Sequence, residues 1–249
     1  MVSLNAPIRL GLTWLLGLLG SVSLWAQSNA EDNSRLTASG TTMGVVSWSV
    51  IAYGPEELQL QLEAQVAAAL DDVNQRMSTY LDDSEVTRFN RTESTDWFDV
   101  SSQTATVVSR ALEISQLSEG ALDITVQPLV ALWSFSKDKP DSFRPPTAEA
   151  VTEALQHVGY QKLSVRQAPP ALRKSTARLQ IDLSAIAKGY AVDQVAVRLQ
   201  NLGFDDFLIE VGGEIRACGE KPDQTGWKVG IEEPTVGASI PYRKFELYH

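Results

Sequence analysis

An acid, a hydroxyl and an amine stand close together in the stretch IDLSAIAKGYAVD, residues 181–193. Asp182, Ser184 and Lys188 occupy the point where a predicted strand gives way to a predicted helix. Ser184 is the predicted N-cap, because its hydroxyl can accept a hydrogen bond from a free amide of the first turn. One face of this helix is marked by residues that recur at helical spacing: Gly189, Val192, Val195, Ala196, Leu199 and Leu202. Gly203 follows the last of them and is the predicted helix terminator.

Lys188 is unexpected in the first turn of a helix, where the partial positive charge of the helix dipole disfavours a cation. One interpretation is a solvated lysine that contributes nothing specific. The other is a site for an anion such as phosphate, since free amides and a cation together suit that ligand. The residues of this stretch alone leave both interpretations open.

Four further stretches carry residues that could contact a ligand. In GTTMG, residues 40–44, small residues allow close approach to a ligand and Met43 could lie against a flat ring, or the segment is a simple turn. Tyr80 could stack on an aromatic ligand or be an ordinary surface residue. Asp123 interrupts an apolar run, so it should bind a ligand or a neighbouring donor, for example the exocyclic amine of adenine. Gly212 and Gly213 indicate either a tight connection or close approach to a ligand.

Helices and strands alternate along the chain without strict βαβ order, which predicts an α+β fold. Helices are predicted from Pro55 to about residue 78, over 102–118 and over 147–159. Strands are predicted at 42–54, 161–166 and 177–183, and in FLIEV, EIRAC and WKVGIE. The charged stretch 79–96 is predicted to be a loop, because it has no apolar periodicity.

Composition and targeting signals narrow the function further. The net charge of −10 argues against a nucleic-acid partner.

Residues 1–26 resemble a signal peptide cleaved after Ala26 or Ala30, with a retained membrane anchor as the alternative, and 27–35 form a linker. The chain is therefore expected to be exported, to the periplasm if the source is a Gram-negative bacterium. Cys218 is the only cysteine and is interpreted as a buried thiol, and the two histidines do not have the spacing of a metal site.

Taken together, GTTMG, MSTYLDDSEVTRFN, GALDITVQPLVALW, DLSAIAKGYAVD and VGGEIRACGEK closely resemble the ApbE family, the FAD:protein FMN transferases. The resemblance covers roughly residues 36–234. It implies a T-fold-related, two-lobed domain of mixed helices and antiparallel-rich sheets, here over residues 36–249. It also implies transfer of FMN from FAD to a threonine of a target protein, with release of AMP and a need for Mg²⁺.

The resemblance also assigns roles to individual residues. The flavin-nucleotide contacts that it implies are Met43, Tyr80, Ala121, Leu122, Asp123, Asp182 and Lys188. Asp182 is in addition a candidate base for the threonine hydroxyl, and Ala185 is a candidate metal ligand through its backbone carbonyl. The implied partners are flavin-accepting proteins, such as subunits of Na⁺-translocating quinone reductase or of Rnf-type electron-transport complexes, with association with the inner membrane as a further expectation.

The chain departs from the family pattern at several positions. Val45 replaces a threonine, WSFS replaces WGFG, and Gln127 and Ala131 replace a glycine and an asparagine. Family members continue beyond GIEEP to a segment whose aspartate and threonine complete the magnesium site, and the tail TVGASIPYRKFELYH does not match it. The expectation is a C-terminally truncated domain. Two alternatives to the transferase therefore stay open: an exported FAD-binding protein without activity, and an FAD hydrolase that yields FMN and AMP.

Overall fold

Nine strands and six α-helices are present in residues 33–133, 135, 144–234 and 241–247, the part of the chain that the computed structural model describes. This mixture of helices with antiparallel sheets confirms the predicted α+β class. The strands are β1 Ser34–Thr42, β2 Val46–Gly54, β3 Phe98–Asp99, β4 Leu163–Gln167, β5 Pro170–Lys174, β6 Asp206–Val211, β7 Glu214–Cys218, β8 Trp227–Glu232 and β9 Pro241–Leu247. The helices are α1 Gln59–Met77, α2 Glu85–Arg91, α3 Ser102–Leu117, α4 Gln127–Leu132, α5 Ala148–Leu155 and α6 Ser184–Asn201.

The main sheet has the strand order β1-β2-β6-β7, and every pairing in it is antiparallel. Strands β1 and β2 form a hairpin around residues 43–45, and β6 and β7 form a second hairpin around residues 212–213. The two hairpins are joined because Trp48 of β2 pairs with Val211 of β6. Both turns therefore lie at the same end of the sheet.

Helices α1 and α6 pack against each other and against this sheet, and they form the centre of the hydrophobic core. Their apolar residues follow the helical period, so each helix buries one face. Burial of each large aliphatic side chain stabilises the fold by about 1.5–3 kcal/mol. The buried residues are Leu62, Val66, Ala69, Leu70, Val73 and Met77 of α1, and Ala187, Ala191, Val192, Val195, Ala196 and Leu199 of α6.

The prediction of a loop over 79–96 is wrong, because α2 lies within it. Ser84 accepts a hydrogen bond from the Thr87 amide and caps this helix. Val86 and Phe89 are buried, and the Phe89 ring lies edge-on to Phe98 with the ring centroids 5.8 Å apart. A helix of seven residues has only two turns, which is too few to show a clear apolar period. The two buried apolar residues, Val86 and Phe89, were therefore not recognised among the charged residues around them.

Several predicted boundaries also differ from the structure. Ser34 and Arg35 of the predicted linker belong to β1, and the single strand predicted over 42–54 is a turn followed by β2. Strands β1, β3, β5 and β9 and helix α4 were not predicted. Residues 177–183 are not a strand in the described structure, since Ile181 pairs with the side chain of Asn90 instead of a neighbouring strand. The predicted signal peptide or anchor, residues 1–26, lies outside the described residues.

Lys174 is buried in the second sheet, which has the order β3-β5-β4, with 1% of its surface exposed. Its Nζ donates to the carbonyl oxygens of Phe89 and Leu179, each at 3.2 Å, and lies 5.2 Å from the centroid of the Phe89 ring. No acidic side chain among the described residues pairs with it. Burial therefore lowers the pKa of Lys174 below its ordinary value of 10.5.

The buried Lys174 predicts that stability rises with pH in the alkaline range. Between the lowered pKa and 10.5 the unfolded chain binds more protons than the folded chain, so raising the pH through this window favours folding. We expect the free energy of unfolding of the wild type to rise relative to that of Lys174→Met as the pH increases, measured by urea denaturation. Replacement of the exposed Lys228 by Met is the control and should show no such trend. A difference between wild type and Lys174→Met that does not change with pH would contradict this account.

Candidate functional site

A cavity of about 440 Å³ lies where the β1–β2 turn, the end of α1 and the start of α6 meet. Its walls are mostly apolar, with one lysine at the side formed by α6. Three of the residues singled out in the sequence, Met43, Tyr80 and Lys188, line it together. The lining consists of Met43, Gly44, Val45, Val46, Val73, Asn74, Met77, Ser78, Thr79, Tyr80, Ser184, Ala187 and Lys188.

Met43 lies in the turn between β1 and β2 with a φ of 49°, a left-handed conformation that is uncommon for a residue other than glycine. Gly44 follows with a φ of 87°. The two positive angles reverse the chain tightly and place the thioether in the cavity wall. The segment is therefore a turn, and its methionine is also a cavity residue.

Tyr80 follows α1 and is held by the residues before it. The amides of Tyr80 and Leu81 donate to Ser78 Oγ at 3.0 and 3.3 Å. Ser84 Oγ donates in turn to the Ser78 carbonyl, which ties the segment to the start of α2. Tyr80 lines the cavity with 47% of the residue exposed, and its hydroxyl donates to the Phe135 carbonyl at 3.4 Å.

Helix α6 begins at Ser184, but Ser184 is not its cap as predicted. Asp182 Oδ1 accepts from the Ser184 amide at 2.7 Å, and no side chain caps the helix from the N-cap position, Leu183. An acid at this end is favoured by the helix dipole. Among the described residues, the Ser184 amide is the one hydrogen-bond donor to the Asp182 carboxylate.

Lys188 is neither a solvated lysine nor an unpaired cation. Its Nζ lies 2.7 Å from both carboxylate oxygens of Glu214 and donates to the Gly212 carbonyl at 3.3 Å. The Lys188 side chain is 29% exposed and that of Glu214 is 38% exposed. Contact of Lys188 with a nucleotide stays a prediction, and any such contact must form in the presence of this ion pair.

Four of the predicted contacts, Ala121, Leu122, Asp123 and Asp182, do not line the cavity. Both Asp123 oxygens accept from neighbours: Oδ1 from the amide and hydroxyl of Thr125 at 2.8 and 2.6 Å, and Oδ2 from the Tyr160 amide at 2.8 Å. This satisfies the expectation that Asp123 bonds a neighbouring donor. The loop reaches the start of α6 through the Asp182 amide, which donates to the Ile124 carbonyl at 2.7 Å.

Two residues that the sequence did not single out hold these segments in place. Asn90 Nδ2 donates to the Ile181 carbonyl and Asn90 Oδ1 accepts from the Ile181 amide, each at 2.8 Å. Glu214 fixes the amine of Lys188. Asn90 is distant in sequence from its partner, so no local pattern could have revealed it. For Glu214, its place directly after the glycine pair was the only available signal.

Ala185, the predicted metal ligand, is exposed in the first turn of α6 and can offer only its carbonyl oxygen. In the described part of the chain, no group of three or more histidine, cysteine, aspartate or glutamate side chains could hold a metal ion. Magnesium needs near-octahedral oxygen coordination. The described residues therefore do not fit a magnesium site of their own. Cys218, predicted to be buried, is half-buried at the end of β7.

Gly212 and Gly213 form the two-residue β6–β7 turn, with φ values of 57° and 95°. Positive φ at both positions is typical of a tight hairpin turn, so the interpretation as a tight connection is confirmed. At Gly212 an added Cβ would lie 2.7 Å from Val46 Cγ1 and 3.1 Å from Lys188 Cδ. At Gly213 an added Cβ would meet nothing within 4 Å.

This difference predicts that replacement by alanine has different effects on stability and on FAD binding at the two glycines. Gly213→Ala should cost about 1–2 kcal/mol of stability through backbone strain alone. Gly212→Ala should cost more and should also weaken flavin binding, because it displaces two residues of the cavity wall. Denaturant unfolding and titration with FAD measure the two effects separately. Equal FAD affinities in the two variants would show that Gly212 does not shape the cavity.

Comparison with known proteins gives one consistent result. The family model described as "ApbE family" matches residues 40–247. A curated FAD:protein FMN transferase of Vibrio cholerae serotype O1 is 38% identical over 225 residues, which is 90% of this chain and 66% of that protein. One of Haemophilus influenzae is 40% identical over 175 residues, 69% of this chain and 50% of that protein. The chain thus spans about half to two thirds of the length of these curated relatives.

Solved structures agree with the sequence comparison. The structure of flavin transferase ApbE from Vibrio cholerae has a TM-score of 0.75 and 37% identity, covering 86% of this chain and 68% of that one. The ApbE protein of Thermotoga maritima has a TM-score of 0.77 at 23% identity, and it supports the fold alone. From its family match, its relatives and its fold, this chain belongs to the ApbE family.

Proposed function

We propose that this protein is an FAD:protein FMN transferase, which moves FMN from FAD to a threonine hydroxyl of a target protein and releases AMP. The observation that carries the proposal is the meeting of Met43, Tyr80 and Lys188 around one apolar cavity. Their segments are far apart in sequence, and the resemblance gives all three residues a role in flavin-nucleotide binding. The volume of the cavity is within the range of small-molecule sites.

The lining residues suit the parts of FAD. A flat isoalloxazine ring would lie between the polarizable Met43 thioether and the exposed face of Tyr80. The pyrophosphate needs positive charge, and the Ser184 amide at the helix start already donates to Asp182. Lys188 is therefore the side chain that supplies cationic charge at this end of the cavity.

The proposed reaction is a phosphoryl transfer. The threonine oxygen attacks the phosphorus on the FMN side of the pyrophosphate and forms a phosphoester, while the bond to the bridging oxygen breaks and AMP leaves. The hydroxyl proton passes to a base. Asp182 is proposed for this role, since its carboxylate accepts from the amide of Ser184, a residue that lines the cavity.

A dependence on Mg²⁺ is also proposed, on the resemblance alone. The described residues do not provide the oxygen ligands that this ion requires, and the carbonyl of Ala185 stays a predicted ligand. Titration calorimetry of the chain with Mg²⁺ in the absence of FAD is expected to show weak or no binding.

The transferase is tested by mixing the purified protein with FAD, Mg²⁺ and a threonine-bearing target domain. Covalent flavin fluorescence on the target band after denaturing electrophoresis is the expected result, and a target with its threonine replaced by valine should stay dark. Free FMN and AMP without a labelled target would instead indicate hydrolysis. Bound but unchanged FAD would indicate a binding protein, and either outcome would overturn the transferase.

We further propose that the protein acts outside the cytoplasm, in the periplasm or at the inner membrane. The support is the signal-like segment 1–26, together with the partners that the resemblance implies, subunits of Na⁺-translocating quinone reductase or Rnf-type complexes. Within the described residues, no helix is long and apolar enough to cross a membrane. Fractionation of cells that express the full chain, followed by immunodetection, tests this location.

A further inference from the structure

We propose that Glu214 is a specificity-determining residue of the cavity: it neutralises Lys188 and so limits how strongly the cavity attracts phosphate-bearing ligands. The proposal rests on the proposed function, since it takes FAD as the ligand. It assigns a role to a residue that does not itself line the cavity. Its chemistry is that of a carboxylate competing with a pyrophosphate for one amine.

The geometry of the pair supports competition. Glu214 is the first residue of β7, directly after the glycine turn, and its two oxygens each lie 2.7 Å from Lys188 Nζ. A pair this close has little net charge when seen from a ligand. The two side chains are partly exposed, so an incoming anion can reach the amine.

Glu214 is not the only partner that holds Lys188 in place. The Lys188 amine also donates to the Gly212 carbonyl at 3.3 Å, and its aliphatic chain packs on Gly212, where an added Cβ would lie 3.1 Å from Lys188 Cδ. Loss of the carboxylate charge should therefore leave the amine near its present position. The effect of removing that charge is then electrostatic, and the cavity gains one net positive charge.

The substitution that isolates this charge is Glu214→Gln, which keeps an oxygen that can accept from Lys188. The matched control is Asp193→Asn. Asp193 accepts from Arg216 at 2.6 Å across the same α6–β7 interface, and neither of these residues lines the cavity. Both substitutions change the net charge by the same amount. Riboflavin, which has the flavin ring but no phosphate, serves as the uncharged ligand.

Titration calorimetry with FAD and with riboflavin at low and high salt gives the test. We expect Glu214→Gln to tighten FAD binding by about 3- to 5-fold at low salt, and by less at high salt, as for one charge interaction at a half-exposed site. Riboflavin affinity should stay within about twofold, and Asp193→Asn should change neither. Unchanged or weaker FAD binding by Glu214→Gln would overturn the proposal, as would an equal gain in the control.

A second measurement does not depend on flavin. Lys188 should be acetylated several-fold faster by acetic anhydride in Glu214→Gln than in the wild type, as measured by peptide mass spectrometry. Equal rates would show that Glu214 does not occupy the amine and would overturn the proposal. If the wild type bound neither flavin while labelling differed as expected, the proposed function would fail and the pairing of Glu214 with Lys188 would stand.

Discussion

Replacement of Lys188 by alanine is expected to weaken FAD binding by about 10- to 100-fold, and replacement by glutamate should weaken it further. A charge-assisted hydrogen bond to phosphate contributes about 1.5–3 kcal/mol when it is well formed. Each substitution also leaves the Glu214 carboxylate without its cation, and Lys188→Glu places a second carboxylate beside it. Titration with FAD at two salt concentrations measures the losses, which should shrink as salt rises.

Controls separate this effect from a change in net charge or in folding. Lys228→Glu makes the same charge change as Lys188→Glu, at an exposed position of β8 that does not line the cavity, and should leave FAD affinity unchanged. Circular dichroism should show that all the variants are folded. Equal FAD affinities of the wild type and both Lys188 variants would remove Lys188 from the binding site.

The largest expected loss of stability comes from Asn90→Ala, at about 2–5 kcal/mol. Its amide satisfies both the N–H and the carbonyl of Ile181, a residue with no exposed surface. Each buried backbone group left without a partner costs about 1–3 kcal/mol. Because Ile181 directly precedes Asp182 and α6, the start of this helix should also become less ordered. Urea denaturation monitored by circular dichroism gives the free energy of unfolding.

Two companion variants make the Asn90 result specific. Asn90→Asp keeps the acceptor for the Ile181 amide but loses the donor to its carbonyl, so its loss should be intermediate. Asn201→Ala, at the exposed end of α6, should change the free energy of unfolding by less than about 0.5 kcal/mol. A loss below about 0.5 kcal/mol for Asn90→Ala would mean that solvent reaches Ile181 and replaces the amide.

The elements that the sequence predicted correctly share long periodic patterns or clear terminators. Helices α1, α3 and α6 have several turns of apolar spacing, and Gly203 ends α6 with a φ of 91°. The elements that were missed are short or depend on distant partners. Helix α2 has only seven residues, and the extended segment before α6 resembles a strand although it pairs with one asparagine side chain.

For the candidate site, residue types indicated the chemistry but not its arrangement. The lysine predicted in the first turn is the fifth residue of α6, and the anion beside it in this structure is Glu214, from a hairpin 26 residues later. Ser184 was an N-cap candidate by residue type, but the N-cap position is Leu183, and the Ser184 amide donates to Asp182, an acid that the helix dipole favours at this end. Such choices between neighbouring candidates depend on three-dimensional packing, which a single sequence does not reveal.

The pairing of β2 with β6 affects the order in which parts of the protein can fold during synthesis. Trp48 and Val211 are neighbours in the sheet but are separated by most of the chain, so a large loop must close before the two hairpins can meet. During synthesis, the β1–β2 hairpin and α1 leave the ribosome long before β6. The cavity also needs Ser184, Ala187 and Lys188 of α6, so its wall cannot be complete until that part of the chain has been made. Contacts of such large sequence separation also favour slow folding, which makes this end of the sheet the place where a chaperone would be needed longest.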